Sequence, residues 1–171
     1  MAPKHVKDSA SEMTELVLPN DTNVLGNLLG GRLLHWMDMA AAIVSYKHAN
    51  RVVVTAAVDH VQFRSPIRLG EVVTLRAKIT RSFTTSMEIR VDVWAEDYKI
   101  NERRKANEAY YTFVAFDSTG KPTPVPPVEP ETDEEKLLFD NALHRRELRL
   151  ILSGKMKPGD ASHLKNILEL Q

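Results

Sequence analysis

The sequence predicts an α+β fold in which an antiparallel sheet wraps around one long central helix, with further helices at the C-terminus. One long apolar helix is followed directly by a long strand, and the three strands after it are joined by short turns. Strands joined by short turns pair antiparallel, and a single helix among them does not fit a doubly wound sheet. The 171 residues suffice for one domain with an appendage.

The first elements follow from apolar spacing. A short strand is predicted at 13–18 and ends at Pro19. A helix is predicted at 30–49, with Asn50 as a plausible stop; its apolar positions have helical spacing and comprise Leu33, Leu34, Met37, Ala41 and Val44. The β-branched stretch 52–63 predicts the next strand, which Ser65-Pro66 interrupts.

The next three strands are predicted to form an antiparallel meander. Residues 71–83 and 86–96 alternate between apolar and polar side chains, which is typical of a strand with one buried face. The stretch "EAYYTFVAF" at 108–116 is apolar on both faces and predicts a central strand.

The C-terminal third has a different character. The proline-rich segment 121–132 is typical of a stiff extended linker. Thr132 followed by Glu135 forms a capping box, which predicts a helix at 133–152 that Gly154 and Pro158 end. Asp160 is suited to cap a last short helix to Leu170. We therefore expect a main domain at 1–120, a linker at 121–132 and a helical extension at 133–171.

Composition excludes several classes of protein. Lys plus Arg equals Asp plus Glu at 23 each, so neither a nucleic-acid footprint nor a polybasic membrane anchor is expected. The absence of cysteine excludes disulfides and a thiol nucleophile. The histidines show no metal-ligand spacing, so no metal site is expected. Without a signal-like or membrane-length apolar run, the expected location is the cytoplasm.

Two glycines open the long helix. Gly30 and Gly31 leave the first helical amides unshielded by side chains, and these amides lack intrahelical partners. Together with the helix dipole, they are suited to hold an anion or a developing oxyanion. The alternative is that the glycines only permit a tight turn and close packing.

Polar residues flank and interrupt this helix. Asp38 lies on a mostly apolar stripe, where desolvation favours use as a base or nucleophile; the alternative is a solvated or ion-paired position at the rim. Asn23 is suited to orient a water or carbonyl, or simply to close an Asx turn. His35 invites a His–Asp dyad, but no serine has the spacing of a nucleophile elbow.

Three linked motifs carry a family resemblance. "DTNVLGNLLGGRLLHWMD", "VDHVQF" and "RSFTTSME" occur in this order, and together they resemble the hotdog-fold acyl-CoA thioesterases. The sequence is most similar to the cytosolic acyl-CoA hydrolase branch. The resemblance covers about residues 11–118 and, more loosely, the helix at 133–152.

The resemblance implies a hotdog thioesterase domain that hydrolyses acyl-CoA to free CoA and a carboxylic acid, in lipid or fatty acid metabolism. It implies a site at a dimer interface, where Asn23 of one protomer faces Asp38 of the other. Asp38 is the implied general base or nucleophile, and the amides of Gly30 and Gly31 stabilise the oxyanion. A homohexamer built as a trimer of dimers is implied. No cofactor is expected, since CoA is part of the substrate.

The resemblance also implies a set of CoA contacts. They lie on the strand after the helix, around the next hairpin and on the C-terminal helix: Ala56, Ala57, Val58, Arg81, Thr85, Ser86, Met87, Arg145 and Arg146. For the arginines, phosphate binding competes with an ordinary role as surface charge.

Two other functions remain open on the sequence. A non-catalytic acyl-CoA binding module could use the same cleft, although the presence of both Asn23 and Asp38 argues against a degenerate site. A hotdog hydratase would pair a histidine with a carboxylate in a different local motif, for which His35 is a poor match.

Overall fold

The computed structural model describes residues 1–164 and divides the chain into two compact units, Met1–Glu129 and Pro130–Gln171. The prediction of a last helix to Leu170 lies outside the described residues from position 165 onward. No helix among the described residues is long and apolar enough to cross a membrane.

The first unit is built around α2, Gly30–Ala49. The strands are β1 Lys4–His5, β2 Ser11–Leu16, β3 Val52–Phe63, β4 Val72–Ser82, β5 Ser86–Asp97, β6 Glu102–Phe116 and β7 Val128–Glu129, and α1 is the single turn Val6–Ser9. The helix α2 packs against all five strands of the main sheet, β2 to β6. The predicted α+β architecture with one central helix is confirmed.

The main sheet has the strand order β2-β4-β5-β6-β3, and every pair in it is antiparallel. The predicted meander is therefore confirmed for β4, β5 and β6. Because β3 returns to pair with β6, it forms one edge of the sheet, and β2 forms the other. The side of β3 that faces away from β6 has no partner strand within residues 1–164.

The core lies between α2 and the facing side of the sheet. Its fully buried side chains come from alternate positions of the strands and from one stripe of the helix, and they include Met37, Val44, Leu75, Ile89, Val91 and Phe113. This alternation produces one apolar face on each strand, because successive side chains point to opposite sides. Burial of that face against the helix is the main stabilising contribution to the unit.

Two predicted boundaries need correction. The first strand is Ser11–Leu16 and not 13–18, because its pairing with β4 ends at Leu16↔Val72. The strand β6 begins at Glu102 and not at 108. The segments β1, α1 and β7 were not predicted.

The proline-rich segment contributes to the first unit up to Glu129. Val125 N–H donates to the Thr84 carbonyl at 3.1 Å, and β7 pairs in parallel with β1. The N-terminal residues are fixed in turn, since Lys4 Nζ donates to the carbonyls of Lys47 and His48 at the end of α2. The two ends of the unit thus meet beside the C-terminus of the central helix.

The second unit contains α3, Asp133–Leu152, as predicted. Thr132 accepts from Glu135 N–H, and the Glu135 side chain accepts in return from Thr132 N–H, so the predicted capping box is confirmed. Near its other end, Glu147 accepts from the amides of His163 and Leu164. This carboxylate connects α3 to the segment that follows it.

Candidate active site

Asp38 lies on the third turn of α2 and is partly exposed. Its Oδ1 accepts a 2.8 Å hydrogen bond from the Thr55 hydroxyl on β3. The other oxygen, Oδ2, has no hydrogen-bond partner among residues 1–164. One oxygen is therefore held in place while the other is available to a substrate or water.

Tyr111 lies beneath this turn of the helix. Its hydroxyl donates to the Leu34 carbonyl at 3.1 Å, and its side chain is almost completely buried. Burial, and secondarily the negative charge of Asp38, raise the pKa of Tyr111, so the phenol stays protonated and neutral near the carboxylate.

His35 does not form the dyad that its spacing suggested. Its side chain is exposed, and no hydrogen bond or ion pair joins it to Asp38 in the described chain. Within residues 1–164, no group of three or more histidines and carboxylates is placed to hold a metal ion.

The turn before α2 is organised by Asn23. Its Oδ1 accepts from the backbone N–H groups of Leu25 at 2.9 Å and Asn27 at 3.2 Å, which is the geometry of an Asx turn. The alternative that Asn23 closes an Asx turn is therefore confirmed for its side-chain oxygen Oδ1. The amide nitrogen Nδ2 is not used by the turn, so it remains available as a donor at an exposed position.

The helix begins directly after this turn, with no side-chain cap at Leu29. The amides of Gly30 and Gly31 have no hydrogen-bond acceptor among the described residues. A Cβ on Gly30 would lie 3.4 Å from the ring of Phe63, whereas one on Gly31 would meet nothing within 4 Å. Gly30 thus permits close packing, and Gly31 leaves an open approach to the helix N-terminus.

Asn23 and Gly30 line one cleft of about 300 Å³. The remaining lining is mostly apolar and comprises Asn27, Leu28, Leu33, Phe63, Arg64, Ser65, Pro66 and Ile67. Asp38 and Thr55 are not among the lining residues. This cleft of the described chain therefore contains Asn23 without Asp38.

Three of the residues expected to contact CoA lie on the open edge of the sheet. Ala56, Ala57 and Val58 are on β3, and the register shift between Thr55 and Ala57 leaves Ala56 in a bulge. Ala56 and Val58 are exposed. Their position is compatible with pairing to an extended ligand or to another strand.

The second group lies at the hairpin between β4 and β5. Thr85 is in the turn, Ser86 begins β5, and Arg81 at the end of β4 has its guanidinium 6.0 Å from the centre of the Phe83 ring. The Met87 side chain is fully buried, so only its backbone can contact a ligand.

The last two predicted contacts, Arg145 and Arg146, are on α3 in the second unit. Arg145 donates to the Leu138 carbonyl at 3.0 Å within that helix, and Arg146 is exposed. The predicted roles of both residues stay predictions.

Sequence reasoning missed Thr55. A threonine in a β-branched strand carries no signal of its own, since this residue type is common in strands. Its role depends on the packing of β3 beside α2, which places its hydroxyl next to Asp38. Only the fold shows this contact.

Several known proteins that are similar to this chain are named as acyl-CoA thioesterases or thioester hydrolases. The sequence profile of the thioesterase superfamily matches residues 25–100. An uncharacterized acyl-CoA thioester hydrolase of Bacillus subtilis is 42% identical over 143 residues, which cover 84% of this chain and 83% of that one. The crystal structure of an apo-hexameric acyl-CoA thioesterase superposes with a TM-score of 0.86 at 42% identity, covering 90% of this chain and 98% of that chain.

An acyl-CoA hydrolase from Staphylococcus aureus has been solved with butyryl-CoA, CoA and CoA disulfide; it is 39% identical, with a TM-score of 0.82 over 89% of this chain and 94% of that chain. Structures also exist of its variants in which one asparagine, one aspartate or one threonine is replaced by alanine. Those three positions have the same spacing along that chain as Asn23, Asp38 and Thr55 have here. From these identities and coverages, the chain belongs to the hotdog-fold acyl-CoA thioesterases of the thioesterase superfamily.

Proposed function

We propose that the chain hydrolyses acyl-CoA thioesters to CoA and a carboxylic acid, at a site to which two copies contribute. The observation that carries this proposal is the hydrogen bonding of Asp38: Thr55 donates to its Oδ1, while its Oδ2 has no hydrogen-bond partner in the described part of the chain. The three residues substituted in the Staphylococcus aureus hydrolase support the proposal, because they are separated by the same sequence intervals as Asn23, Asp38 and Thr55.

In the proposed reaction, Asp38 acts in one of two ways. As a general base, it takes a proton from a water whose oxygen attacks the thioester carbonyl carbon. As a nucleophile, its carboxylate attacks that carbon and water then hydrolyses the resulting anhydride. In both cases the carbon–sulfur bond breaks, and the CoA sulfur leaves as a thiolate that takes up a proton. The proposed reaction needs no cofactor.

The other half of the proposed site is the cleft beside Asn23. The amides of Gly30 and Gly31 lie at the positive end of the helix dipole, which favours a negative charge there. Asn23 Nδ2 adds a donor whose position is fixed, because the Asx turn holds the carbonyl end of the same side chain. These donors would stabilise the oxyanion of the tetrahedral intermediate.

Two copies are needed because Asp38 does not line the Asn23 cleft of its own chain. The surface around Asp38 fits a second copy: β3 has an open edge, with Val52 and Val54 more than half exposed. On α2, Met39 and Tyr46 are further exposed large apolar side chains, seven residues apart and so on one side of the helix. We propose a homodimer across this surface and, since a structural neighbour is hexameric, a trimer of such dimers.

In the proposed complex, CoA would lie along β3 at Ala56, Ala57 and Val58 and beside the β4–β5 hairpin. Thr85, Ser86 and the backbone of Met87 would contact it there. The phosphates would pair with arginines, for which Arg81, Arg145 and Arg146 are the proposed partners.

The proposal is tested by incubating the protein with acyl-CoAs of increasing chain length and measuring the released thiol. Asp38→Ala should lower kcat/KM by about 10²-fold or more, because a positioned acid–base group contributes that much. His35→Ala is the matched control, since His35 is exposed on the same helix and does not contact Asp38. Hydrolysis of no acyl-CoA, or full activity in Asp38→Ala, would contradict the proposal.

A further inference from the structure

Phe63 is an exposed aromatic residue that lines the cleft beside Asn23. Three aliphatic side chains of the same cleft, Leu28, Leu33 and Ile67, are buried and belong to the core, whereas Phe63 is 59% exposed. Its ring lies 3.4 Å from the position that a Cβ on Gly30 would take. Because glycine has no side chain, the ring packs directly against the first residue of α2.

The strand register directs Phe63 to the helix side of the sheet. Phe63 pairs with Asn107 of β6, and directly paired residues of neighbouring strands point to the same face. Tyr111, four residues further along β6, points to that face too, and its hydroxyl donates to the Leu34 carbonyl of α2. The direction of Phe63 thus agrees with its contact at the start of the helix.

A bulge in β3 gives Phe63 this direction. Val58 pairs with Tyr111 and so faces the helix, and Phe63 follows Val58 by five positions. Because successive side chains alternate between the two faces, this odd interval would turn Phe63 to the opposite face in a regular strand. The register shift between Asp59 and Gln62 inserts one extra residue and restores the direction toward the helix.

The bulge carries a backbone cost. His60 lies within it and has a φ of 54°, in the left-handed region that residues with a Cβ rarely adopt. Such strained backbone persists only where the surrounding structure determines it, and it is concentrated at functional sites. Here the strain coincides with the feature that brings an aromatic ring to the cleft.

The position of the ring determines which part of a substrate it meets. In the proposed mechanism, the thioester oxygen lies at the amides of Gly30 and Gly31, so a ring packed on Gly30 lies beside the acyl carbons next to the carbonyl. An unbranched chain can lie flat against the ring. A branch at these carbons would need the space that the ring occupies, and close-packed groups give way only at a cost.

We propose that Phe63 is a specificity-determining residue that selects acyl chains without a branch next to the thioester carbonyl. This inference rests on the proposed thioesterase function and names its substrate class. The ring of Phe63 contacts the first carbons of the chain, and the buried aliphatic side chains of the cleft line the space for the rest.

The test compares three isomeric acyl-CoAs: hexanoyl-CoA, an isomer branched at the carbon next to the carbonyl, and an isomer branched at the far end of the chain. The wild type should hydrolyse hexanoyl-CoA with a higher kcat/KM than the first branched isomer. Phe63→Ala should lower the ratio of these two values by about tenfold, the effect of one misfitting methylene group in an apolar pocket. Comparing ratios between proteins cancels the intrinsic reactivity of each thioester.

Two controls accompany this measurement. The ratio of hexanoyl-CoA to the far-branched isomer should change little in Phe63→Ala, because that branch lies beyond the ring. Tyr98→Ala is the matched variant and should keep the wild-type ratios, since Tyr98 is an exposed aromatic residue between β5 and β6 that does not line the cleft.

If Phe63→Ala fails to fold, Phe63→Leu should still lower the first ratio. An unchanged ratio in the Phe63 variants, or a wild type that hydrolyses all three isomers equally, would overturn the inference while leaving the proposed hydrolysis intact. Failure of the wild type to hydrolyse any of the three would instead contradict the proposed function.

Discussion

Asp38 shows how one hydrogen bond can prepare a carboxylate for chemistry. The Thr55 hydroxyl donates to Oδ1 at 2.8 Å, which restricts rotation of the carboxylate and leaves Oδ2 without a hydrogen-bond partner among the described residues. A carboxylate on a helix surface would otherwise rotate freely about its last torsion. Thr55 is therefore a positioning residue in the proposed mechanism.

Thr55→Val should lower kcat by about tenfold or more with little change in KM. The substitution keeps the β-branched shape but removes a hydrogen bond to a charged group, which contributes about 1.5–3 kcal/mol. Steady-state kinetics with the best acyl-CoA measure both constants. Thr55→Ser should recover most of the rate, and an unchanged kcat in Thr55→Val would show that Asp38 needs no such support.

His48 provides a residue-level source of pH dependence. It is fully buried, and its Nε2 lies 2.9 Å from the Pro126 carbonyl, which can only accept, so Nε2 carries the proton of the neutral ring. Its Nδ1 is buried and has no hydrogen-bond partner among the residues that the structure describes. Burial lowers the pKa of His48 below its usual value and the Lys4 ammonium acts in the same direction, while the Pro126 bond and the Asp8 carboxylate act against them.

Unfolding free energy should therefore decrease as the pH falls below about 6.5, the pKa of an unfolded histidine. In that range the unfolded chain binds a proton that buried His48 does not, so stability rises with pH until the ring is neutral in both states. His48→Gln keeps a donor toward Pro126 without a titrating ring and should flatten this dependence. Denaturant unfolding at several pH values measures it, with the exposed His35→Gln as control; identical curves for wild type and His48→Gln would exclude the effect.

At the scale of elements, a glycine at the N-terminus of α2 affects both the stability of the helix and access to the proposed oxyanion amides. Gly31 lies in a helix, and a Cβ there would meet no atom within 4 Å. Glycine in a helix is destabilising relative to alanine, so the fold alone would favour alanine at this position.

Gly31→Ala should raise the unfolding free energy by about 0.5–1 kcal/mol and lower kcat/KM. The stability gain comes from reduced chain entropy in the unfolded state, and the loss of rate comes from a methyl group beside the proposed oxyanion amides. Gly159→Ala, also in open space, is the control and should leave the rate unchanged. A Gly31→Ala variant of full activity would show that the open approach at this glycine is not used.

Most elements could be predicted because their own side chains determine them. The helix at 30–49 and the strand at 52–63 agree with the structure at both ends, since apolar spacing and Asn50, which adopts a left-handed conformation, mark their limits. The first six residues of β6 could not be predicted, because "ERRKAN" is charged and does not alternate. Cross-strand ion pairs hold it instead, including Lys105–Asp92 at 2.7 Å and Arg103–Glu96 at 3.2 Å.

The candidate site likewise contains residues that could be predicted from the sequence and residues that could not. Asn23, Gly30, Gly31 and Asp38 could be selected because unusual residue types interrupt a helix and its approach. Thr55 is ordinary in its local sequence, and its contact with Asp38 arises only from the packing of β3 beside α2. The strands β1 and β7 escaped prediction for a related reason, since each has two residues and exists only through the other.

At the scale of the whole molecule, the separation of Asn23 from Asp38 makes a stoichiometric prediction. Asn23→Ala and Asp38→Ala should each be inactive alone. A dimer containing one copy of each has one site with both residues intact, because a two-fold interface uses each patch reciprocally. The mixed protein contains such dimers as about half of its population.

Equimolar co-expression of the two variants should therefore recover about one quarter of wild-type activity. When differently tagged variants are purified through both tags, a free dimer should show about one half of wild-type activity, whereas the proposed hexamer should stay near one quarter, because almost every hexamer carries both tags. Light scattering on the same samples reports the assembly. No recovery on mixing, or a fully active monomer, would assign the site to a single chain.

The open edge of β3 also has a consequence for the newly synthesised monomer before it assembles. A twelve-residue strand with unpaired backbone groups and exposed valines is a template for pairing with any extended chain. Each newly synthesised copy must therefore dimerise before this edge leads to aggregation or proteolysis. The rate at which two copies meet grows with the square of their concentration. The amount of assembled protein in a cell would then rise more than twofold when the synthesis rate is doubled.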